Sequence, residues 1–196
     1  MQRHRIFLTG VGGQGTLTST RLLALAAMDA GLDVVSGEIH GMAQRGGVVE
    51  STVLLGGFTS PKISPGEADI LLGFEPLEAL RALPMLMQGG FAAVSTDPIP
   101  PLSSALEREP YPPLETLCAP IREWAGKAVF IPCHALGVAA GNPQSANTVL
   151  LGAACAAGAF PFDMAAMEAA ITKHLPPKIV DVNLAALRLG ADALCG

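Results

Sequence analysis

The sequence predicts an α/β fold with a doubly wound, mostly parallel, Rossmann-like sheet and with helices appended at its C-terminus. Two observations predict it. Short apolar runs bounded by glycine or proline, typical of buried strands, alternate with stretches that carry leucine and alanine at helical spacing. From about residue 142 to residue 196 the patterns are helical only. Such alternation indicates a sheet with helices on both faces.

The first 37 residues predict a β–turn–α–β unit. RIFLTG (5–10) is typical of a buried strand, and GVGGQG follows it as a turn. TLTSTRLLALAAMDAG then has helical spacing up to Gly31. LDVVSG (32–37) is a second strand, and we expect it to pair in parallel with the first.

The middle of the chain predicts four more strands. They are VVESTVLLG (48–56), ADILLGF (68–74), FAAVST (91–96) and KAVFIPC (127–133). PLEALRALPMLMQGG predicts one helix, with proline at its start and glycine after its end. LETLCAPIREWAG favours a broken helix.

We expect a single domain over residues 1–196, interrupted by a Pro-rich excursion at 97–113. Six prolines in that excursion exclude a regular central element, because proline lacks the N–H that a helix or strand interior requires. The helical C-terminal part starts at about residue 142.

Composition excludes several classes of function. The net charge of −5, without a basic block, argues against a nucleic-acid partner. The start does not resemble a signal peptide, and no apolar run reaches the roughly 20 residues of a membrane span, so we expect a cytoplasmic protein. Cys118, Cys133, Cys155 and Cys195 are scattered, which predicts free thiols and neither an iron–sulfur cluster nor a zinc site. Only 15% of the residues are charged, which favours burial against another subunit.

Gly10, Gly12 and Gly15 match the pattern GxGxxG between a strand and a helix. Glycines permit close approach of the backbone, and the helix N-terminus has free N–H groups for an anion. Glu38 follows near the position of a ribose-binding acid, so a stand-alone NAD(P)-dependent oxidoreductase is one hypothesis. A tight turn that binds no nucleotide is the other interpretation of this pattern.

A second polar loop, GEIHGMAQRGGVVES (37–51), leaves the second strand. Loops at the carboxyl ends of strands line the ligand crevice of a doubly wound sheet, so we expect it beside the glycine turn. Arg45, followed by Gly46 and Gly47, suits an anion or a carboxylate, whereas one histidine and one glutamate are too few for a metal site. Docking on another subunit is the alternative role.

Four segments together resemble a known family: GVGGQG, GEIHGMAQRGGVVES, AGNPQSANTVLLGA and PPKIVDVNLAALRLG. They occur in the order found in the gamma-type domain of 2-oxoacid:ferredoxin oxidoreductases, from Ile6 to about Gly190. Within that family the chain is most similar to the small (beta) subunit of the indolepyruvate branch.

The resemblance implies a subunit that is inactive alone. Such enzymes decarboxylate a 2-oxoacid on thiamine diphosphate, pass electrons through iron–sulfur clusters to ferredoxin and form an acyl-CoA. The chain lacks a thiamine-diphosphate motif and clustered cysteines, so these cofactors are expected on a large (alpha) partner subunit. The resemblance thus implies no catalytic residue on this chain and a hetero-oligomer as the working form. A non-catalytic assembly scaffold is a further alternative.

The resemblance also implies a set of residues that bind a ligand, for which coenzyme A is the candidate, or that complete the active site. Backbone donors for a phosphate are expected in the glycine turn, and polar groups facing the partner's cofactors in the second loop. The residues are Gly12, Gly13, Gln14, Gly15, Glu38, His40, Gly41, Met42, Gln44, Arg45, Gly46, Asn142 and Asn147. Asn142 before proline is also typical of a helix cap, and Asn147, within an apolar helix, is expected to bond a neighbouring loop.

Overall fold

The computed structural model describes residues 3–40, 47–99 and 110–194. The strands are β1 (His4–Val11), β2 (Val34–His40), β3 (Val48–Leu55), β4 (Ala68–Gly73), β5 (Leu86–Ser95) and β6 (Lys127–Ile131). The helices are α1 (Thr16–Asp29), α2 (Pro76–Ala82), α3 (Leu114–Trp124), α4 (Cys133–Ala139), α5 (Ala146–Ala156), α6 (Met164–His174) and α7 (Pro177–Asp192). Two short 3-10 turns cover Leu83–Met85 and Pro143–Ser145.

The six strands form one sheet in the order β2-β3-β1-β4-β5-β6. β1, β4, β5 and β6 are parallel to their neighbours in this run, whereas β3 is antiparallel to both β1 and β2. The predicted doubly wound, mostly parallel sheet with C-terminal helices is therefore confirmed. That residues 1–196 form one gamma-type domain stays a prediction.

The expected pairing of the first two strands is wrong, because β3 lies between β1 and β2. The reason is the length of the connection after β2. Residues 41–47 join β2 to β3, whereas a parallel crossover needs a dozen residues or more. The two strands therefore form a hairpin, which inserts its second strand beside β1.

Each face of the sheet has its own core. Ile6 and Leu8 of β1 lie on the face covered by α1 and by α5, α6 and α7. Phe7, between them in sequence, lies on the opposite face with α2 and α3. Successive side chains of a strand point to opposite faces, so a continuous apolar run is what a doubly covered strand requires. Cys118, Cys133 and Cys155 are buried free thiols, as predicted, and Cys195 lies outside the described residues.

Proline and the strand ends account for the other differences from the predictions. The helix predicted over PLEALRALPMLMQGG stops at Ala82, because Pro84 cannot donate to a continuing helix, and β5 already starts at Leu86. α3 is continuous across Pro120, where a break was expected. The predicted strand at 127–133 ends at Ile131, and Cys133 instead begins α4, which was not predicted.

Helices α5 and α7 approach each other through two glycines. A Cβ atom added to Gly152 of α5 would collide with the backbone carbonyl oxygen of Leu187, and one added to Gly190 of α7 would collide with that of Val149. Small residues at a helix crossing let the two backbones come close together. Next to this crossing, the Thr148 hydroxyl donates to Asn183 Oδ1 at 2.6 Å, which joins the two helices by a buried hydrogen bond.

Within residues 3–40, 47–99 and 110–194, no helix combines the length and the hydropathy that crossing a bilayer requires.

Candidate functional site

A cleft of about 650 Å³ opens at the carboxyl ends of β1, β4, β5 and β6. β1 leads into α1 on one face of the sheet, and β4 leads into α2 on the other, so the cleft lies at the topological switch point. Ligands of open α/β sheets bind at this position. The lining residues are Gly12, Gly13, Gln14, Phe74, Ser95, Asp97, Pro98, Ile99, Cys133, His134, Pro143, Gln144, Ala146 and Asn147.

The glycine turn forms one wall of the cleft and is fixed by the Gln14 side chain. Its Oε1 atom accepts from the Val11 N–H at 2.7 Å, and its Nε2 atom donates to the Phe74 carbonyl at 2.7 Å. Gly13 and Gly15 have φ values of 105° and 80°, which side chains rarely adopt. The Gln14 side chain therefore joins the turn to the ends of both β1 and β4.

Two of the four predicted phosphate donors in this turn are already engaged. The Gly12 N–H donates to the Gly47 carbonyl at 2.9 Å, and the Gln14 N–H donates to the Val11 carbonyl at 3.1 Å. Within the described ranges, the N–H groups of Gly13 and Gly15 have no such acceptor. Of the four residues predicted to donate to an anion, these two therefore remain as candidates.

The second loop meets the glycine turn at its described end, where Gly47 accepts the hydrogen bond from Gly12. Both loops therefore reach the same edge of the sheet, as expected. Five of the predicted residues lie outside the described part of the chain, as does the side chain of His40 at the end of β2. These five are Gly41, Met42, Gln44, Arg45 and Gly46. The proposed roles of all six stay predictions.

Glu38 does not occupy the position of a ribose-binding acid. Its partner across the sheet is Ser51, whose partner on β1 is Leu8, four residues before Gly12. Strands lie about 4.8 Å apart and rise about 3.3 Å per residue, so Glu38 is displaced from the turn both across the sheet and along the strand direction. The register therefore does not favour dinucleotide binding through Glu38, and its part in completing an active site stays a prediction.

Asn147 connects α5 to the glycine turn, which confirms the expected bond to a neighbouring loop. Its side chain is 6% exposed, and its Nδ2 donates to the Gly15 carbonyl at 3.2 Å. Its Oδ1 accepts from the Thr148 N–H at 2.9 Å, which fixes the orientation of the amide. Asn142 is the predicted cap: its Oδ1 accepts from the Gln144 N–H at 2.9 Å at the start of the 3-10 turn.

The wall opposite the glycine turn was missed by the sequence predictions. Asp97 Oδ2 accepts from the Ser95 hydroxyl at 3.0 Å and from the His134 backbone N–H at 2.6 Å. This carboxylate thus joins the end of β5 to the start of α4. The signal was available, because Asp97 and His134 each directly follow a predicted strand, the same argument that selected the first two loops.

Glu75 holds the adjoining segment of the cleft wall. Its side chain is 1% exposed and caps α2 by accepting from the Glu78 N–H at 2.9 Å. The same carboxylate accepts from the Ile99 N–H at 3.2 Å and from the Tyr111 hydroxyl. Burial, with the Glu75 carboxylate beside it, raises the pKa of Tyr111 well above its ordinary value. Both ends of the Pro-rich excursion are thus attached to one buried side chain.

The chemistry of the described lining suits binding and offers no activated nucleophile. Burial raises the pKa of the Cys133 thiol to about 12, and a thiol that stays protonated is a poor nucleophile. The lining residues include one carboxylate, from Asp97, and neither lysine nor arginine. Apolar walls with a few fixed hydrogen-bonding groups are typical of a site that holds an organic ligand.

Residues 5–193 match the family model described as pyruvate ferredoxin/flavodoxin oxidoreductase. The chain belongs to this family. Indolepyruvate oxidoreductase subunit IorB from Methanothermobacter thermautotrophicus is 39% identical over 190 residues, which cover 97% of each chain. The same subunit from Pyrococcus horikoshii is 40% identical over 195 residues, which cover 98% of this chain and 96% of the relative. These relatives are subunits of oxidoreductases, which confirms the expectation of an enzyme subunit.

Solved structures of the pyruvate ferredoxin/flavodoxin oxidoreductase kind share the fold. The gamma subunit of a keto/oxoacid ferredoxin oxidoreductase from Geobacter sulfurreducens superposes with a TM-score of 0.70 at 25% identity, over 98% of this chain and 99% of that one. A 2-oxoglutarate:ferredoxin oxidoreductase from Magnetococcus marinus, with 2-oxoglutarate, coenzyme A and succinyl-CoA bound, gives a TM-score of 0.72 at 19% identity. The match covers 98% of this chain and 32% of that longer chain, and it bears on the fold alone.

Proposed function

We propose that this chain is the small subunit of an indolepyruvate, or more generally aryl pyruvate, ferredoxin oxidoreductase. One observation carries the proposal: relatives named as indolepyruvate oxidoreductase subunits match it at 39 to 40% identity over 97 to 98% of the chain. In the proposed reaction a 2-oxoacid and coenzyme A give an acyl-CoA and carbon dioxide, and two electrons pass to ferredoxin.

The catalytic cofactors, thiamine diphosphate and the iron–sulfur clusters, belong in this proposal to a large (alpha) partner subunit. Two observations on the small chain support that division. The described cleft lining holds no activated nucleophile, and the described residues include no group of three or more side chains suited to a metal ion. The small subunit would then position a ligand and complete the site with its second loop.

Coenzyme A is the ligand that we assign to the cleft. Coenzyme A combines apolar parts with phosphates, and the described lining supplies apolar walls and a small number of backbone anion donors. Gly13 and Gly15 present N–H groups at the N-terminus of the 14-residue helix α1, which favours a phosphate. When bound, coenzyme A supplies the thiol that takes up the acyl group. The residues of this chain hold and orient it.

Co-expression with the large subunit encoded in the source organism tests the proposed function. We expect a stable complex that reduces ferredoxin, or an artificial one-electron acceptor, with indolepyruvate in the presence of coenzyme A. Pyruvate and 2-oxoglutarate serve as comparison substrates, and each subunit alone serves as the control. A small subunit that stays monomeric beside the large subunit, or a complex that turns over no aryl pyruvate, would contradict the proposal.

The Arg45→Ala variant separates an active-site role of the second loop from a purely structural one. We expect the variant complex to assemble normally while 2-oxoacid turnover falls by about tenfold or more, because a cation that meets a carboxylate is worth about 1.5 to 3 kcal/mol. Assembly is measured by size-exclusion chromatography and turnover by acceptor reduction. Loss of assembly, with normal activity in whatever complex remains, would assign the loop to scaffolding.

A further inference from the structure

One oxygen of the Asp97 carboxylate accepts hydrogen bonds that hold the fold, and the other accepts none from the described residues. Oδ2 accepts both hydrogen bonds from the protein, from the Ser95 hydroxyl and from the His134 N–H. Oδ1 accepts from no described residue, and Asp97 is half-buried in the lining of the cleft. An ionised carboxylate oxygen can only accept hydrogen bonds, so a ligand group that bonds to Oδ1 must be a donor.

Charge and shape limit which donor this is. Among the described lining residues there is neither lysine nor arginine, so no such cation offsets the repulsion there between Asp97 and an anionic group. The neighbouring walls are apolar and contributed by Phe74, Pro98, Ile99 and Pro143. A flat, uncharged heterocycle with an N–H at its edge satisfies both conditions, because it buries its faces on apolar side chains and donates to the carboxylate.

We propose that Asp97 is a specificity-determining residue that recognises the exocyclic amino group of adenine in a bound adenine nucleotide. The nucleotide phosphates then lie at the glycine turn. There the Gly13 and Gly15 N–H groups can donate to an anion, and the positive end of the α1 dipole attracts it. The carboxylate repels phosphates from its own wall and so fixes the direction in which the ligand lies. This deepens the proposed function, on which the choice of coenzyme A as the natural ligand rests.

The Asp97→Asn variant tests the polarity of the site without altering its shape. Ser95 and His134 both donate to the Oδ2 position, so the oxygen of the new amide must occupy it. The amide NH₂ then replaces Oδ1 and turns an acceptor into a donor. A donor facing the adenine amino group gives no hydrogen bond, while the fold keeps both of its own.

The probes are ADP and purine riboside 5′-diphosphate, which lacks only the amino group, titrated calorimetrically into the assembled complex. We expect the wild type to bind ADP about tenfold more tightly, the difference that one hydrogen bond to a charged group confers. In Asp97→Asn this ratio should fall to one or below. Equal affinities in the wild type, or an unchanged ratio in the variant, would overturn the proposal.

Three further variants keep the test decisive. Glu123→Gln removes the same charge at an exposed site outside the cleft lining and should leave the ratio near ten. Ile99→Ala shortens an apolar wall and should weaken both nucleotides equally. Where Asp97→Asn does not assemble, Asp97→Ala is used instead, and it must bring the ratio of the two nucleotide affinities to one. Turnover of indolepyruvate without discrimination would contradict this inference alone, and discrimination without turnover would contradict the proposed function alone.

Discussion

Replacing Gly152 by alanine should destabilise the protein by about 3 kcal/mol, the upper end of what overpacking costs. Alanine in a helix interior is itself favoured over glycine by about 1 kcal/mol, so propensity alone predicts the opposite sign. The collision decides, because the added Cβ meets the backbone carbonyl of Leu187, which no rotamer change can move. Helices α5 and α7 must separate, and the buried hydrogen bond from Thr148 to Asn183 lengthens with them.

Urea unfolding of the assembled protein measures this effect as a shift of the midpoint. Ala156→Ser is the matched control, because it also adds one heavy atom to α5 but at an exposed position. We expect that control to shift stability by about 0.5 kcal/mol or less. A Gly152→Ala variant that is as stable as the wild type would show that the two helices do not need this close approach.

Replacing Asn147 by aspartate should cost about 3 kcal/mol and disorder the glycine turn. The Thr148 N–H holds an oxygen in place on one side of the side chain, so the second carboxylate oxygen must face the Gly15 carbonyl. A hydrogen bond is thereby replaced by the repulsion of two acceptors, one of them a buried charge. Because Gly15 ends the turn whose residues Gly12, Gly13 and Gln14 line the cleft, ADP affinity should fall together with stability.

Asn142→Asp is the control for this variant, since it makes the same chemical change five residues earlier. Toward the described residues, the Asn142 side chain bonds only through its oxygen, which accepts from the Gln144 N–H, and a carboxylate accepts that bond equally well. Thermal melting and ADP titration of both variants give the comparison. Equal effects at the two positions would show that the Asn147 amide donates nothing of consequence to the turn.

The sequence predicts what local chemistry controls and misses what depends on strand order. The glycine turn, its flanking strand and its helix follow from residue types alone, and Asn147 could be expected to find a partner because a buried amide must. The insertion of β3 beside β1 was not predicted, since hydrophobic periodicity does not distinguish a crossover from a hairpin. Only the short connection at 41–47 carried that information, and with it the displacement of Glu38 from the turn.

The Asp97 wall shows a different kind of omission. Asp97 lies in a Pro-rich stretch that composition marks as an excursion, and His134 follows a strand without a recognisable motif. Their meeting requires that β5 and β6 be adjacent and parallel, which the sheet supplies. A rule that considers the residue after every strand, and not only those in glycine-rich loops, would have found both.

Ile99 and Tyr111 are both bonded to Glu75, so the geometry of the cleft wall does not depend on the length of the chain between these two residues. Enlarging a loop whose ends are already fixed adds only about 0.6 kcal/mol of closure entropy for each doubling of its length. Insertions between these two anchors should therefore accumulate during evolution without disturbing the wall that carries Asp97. The excursion is a place where members of the family can diverge in length, and where a tag or a reporter domain can be added to the small subunit.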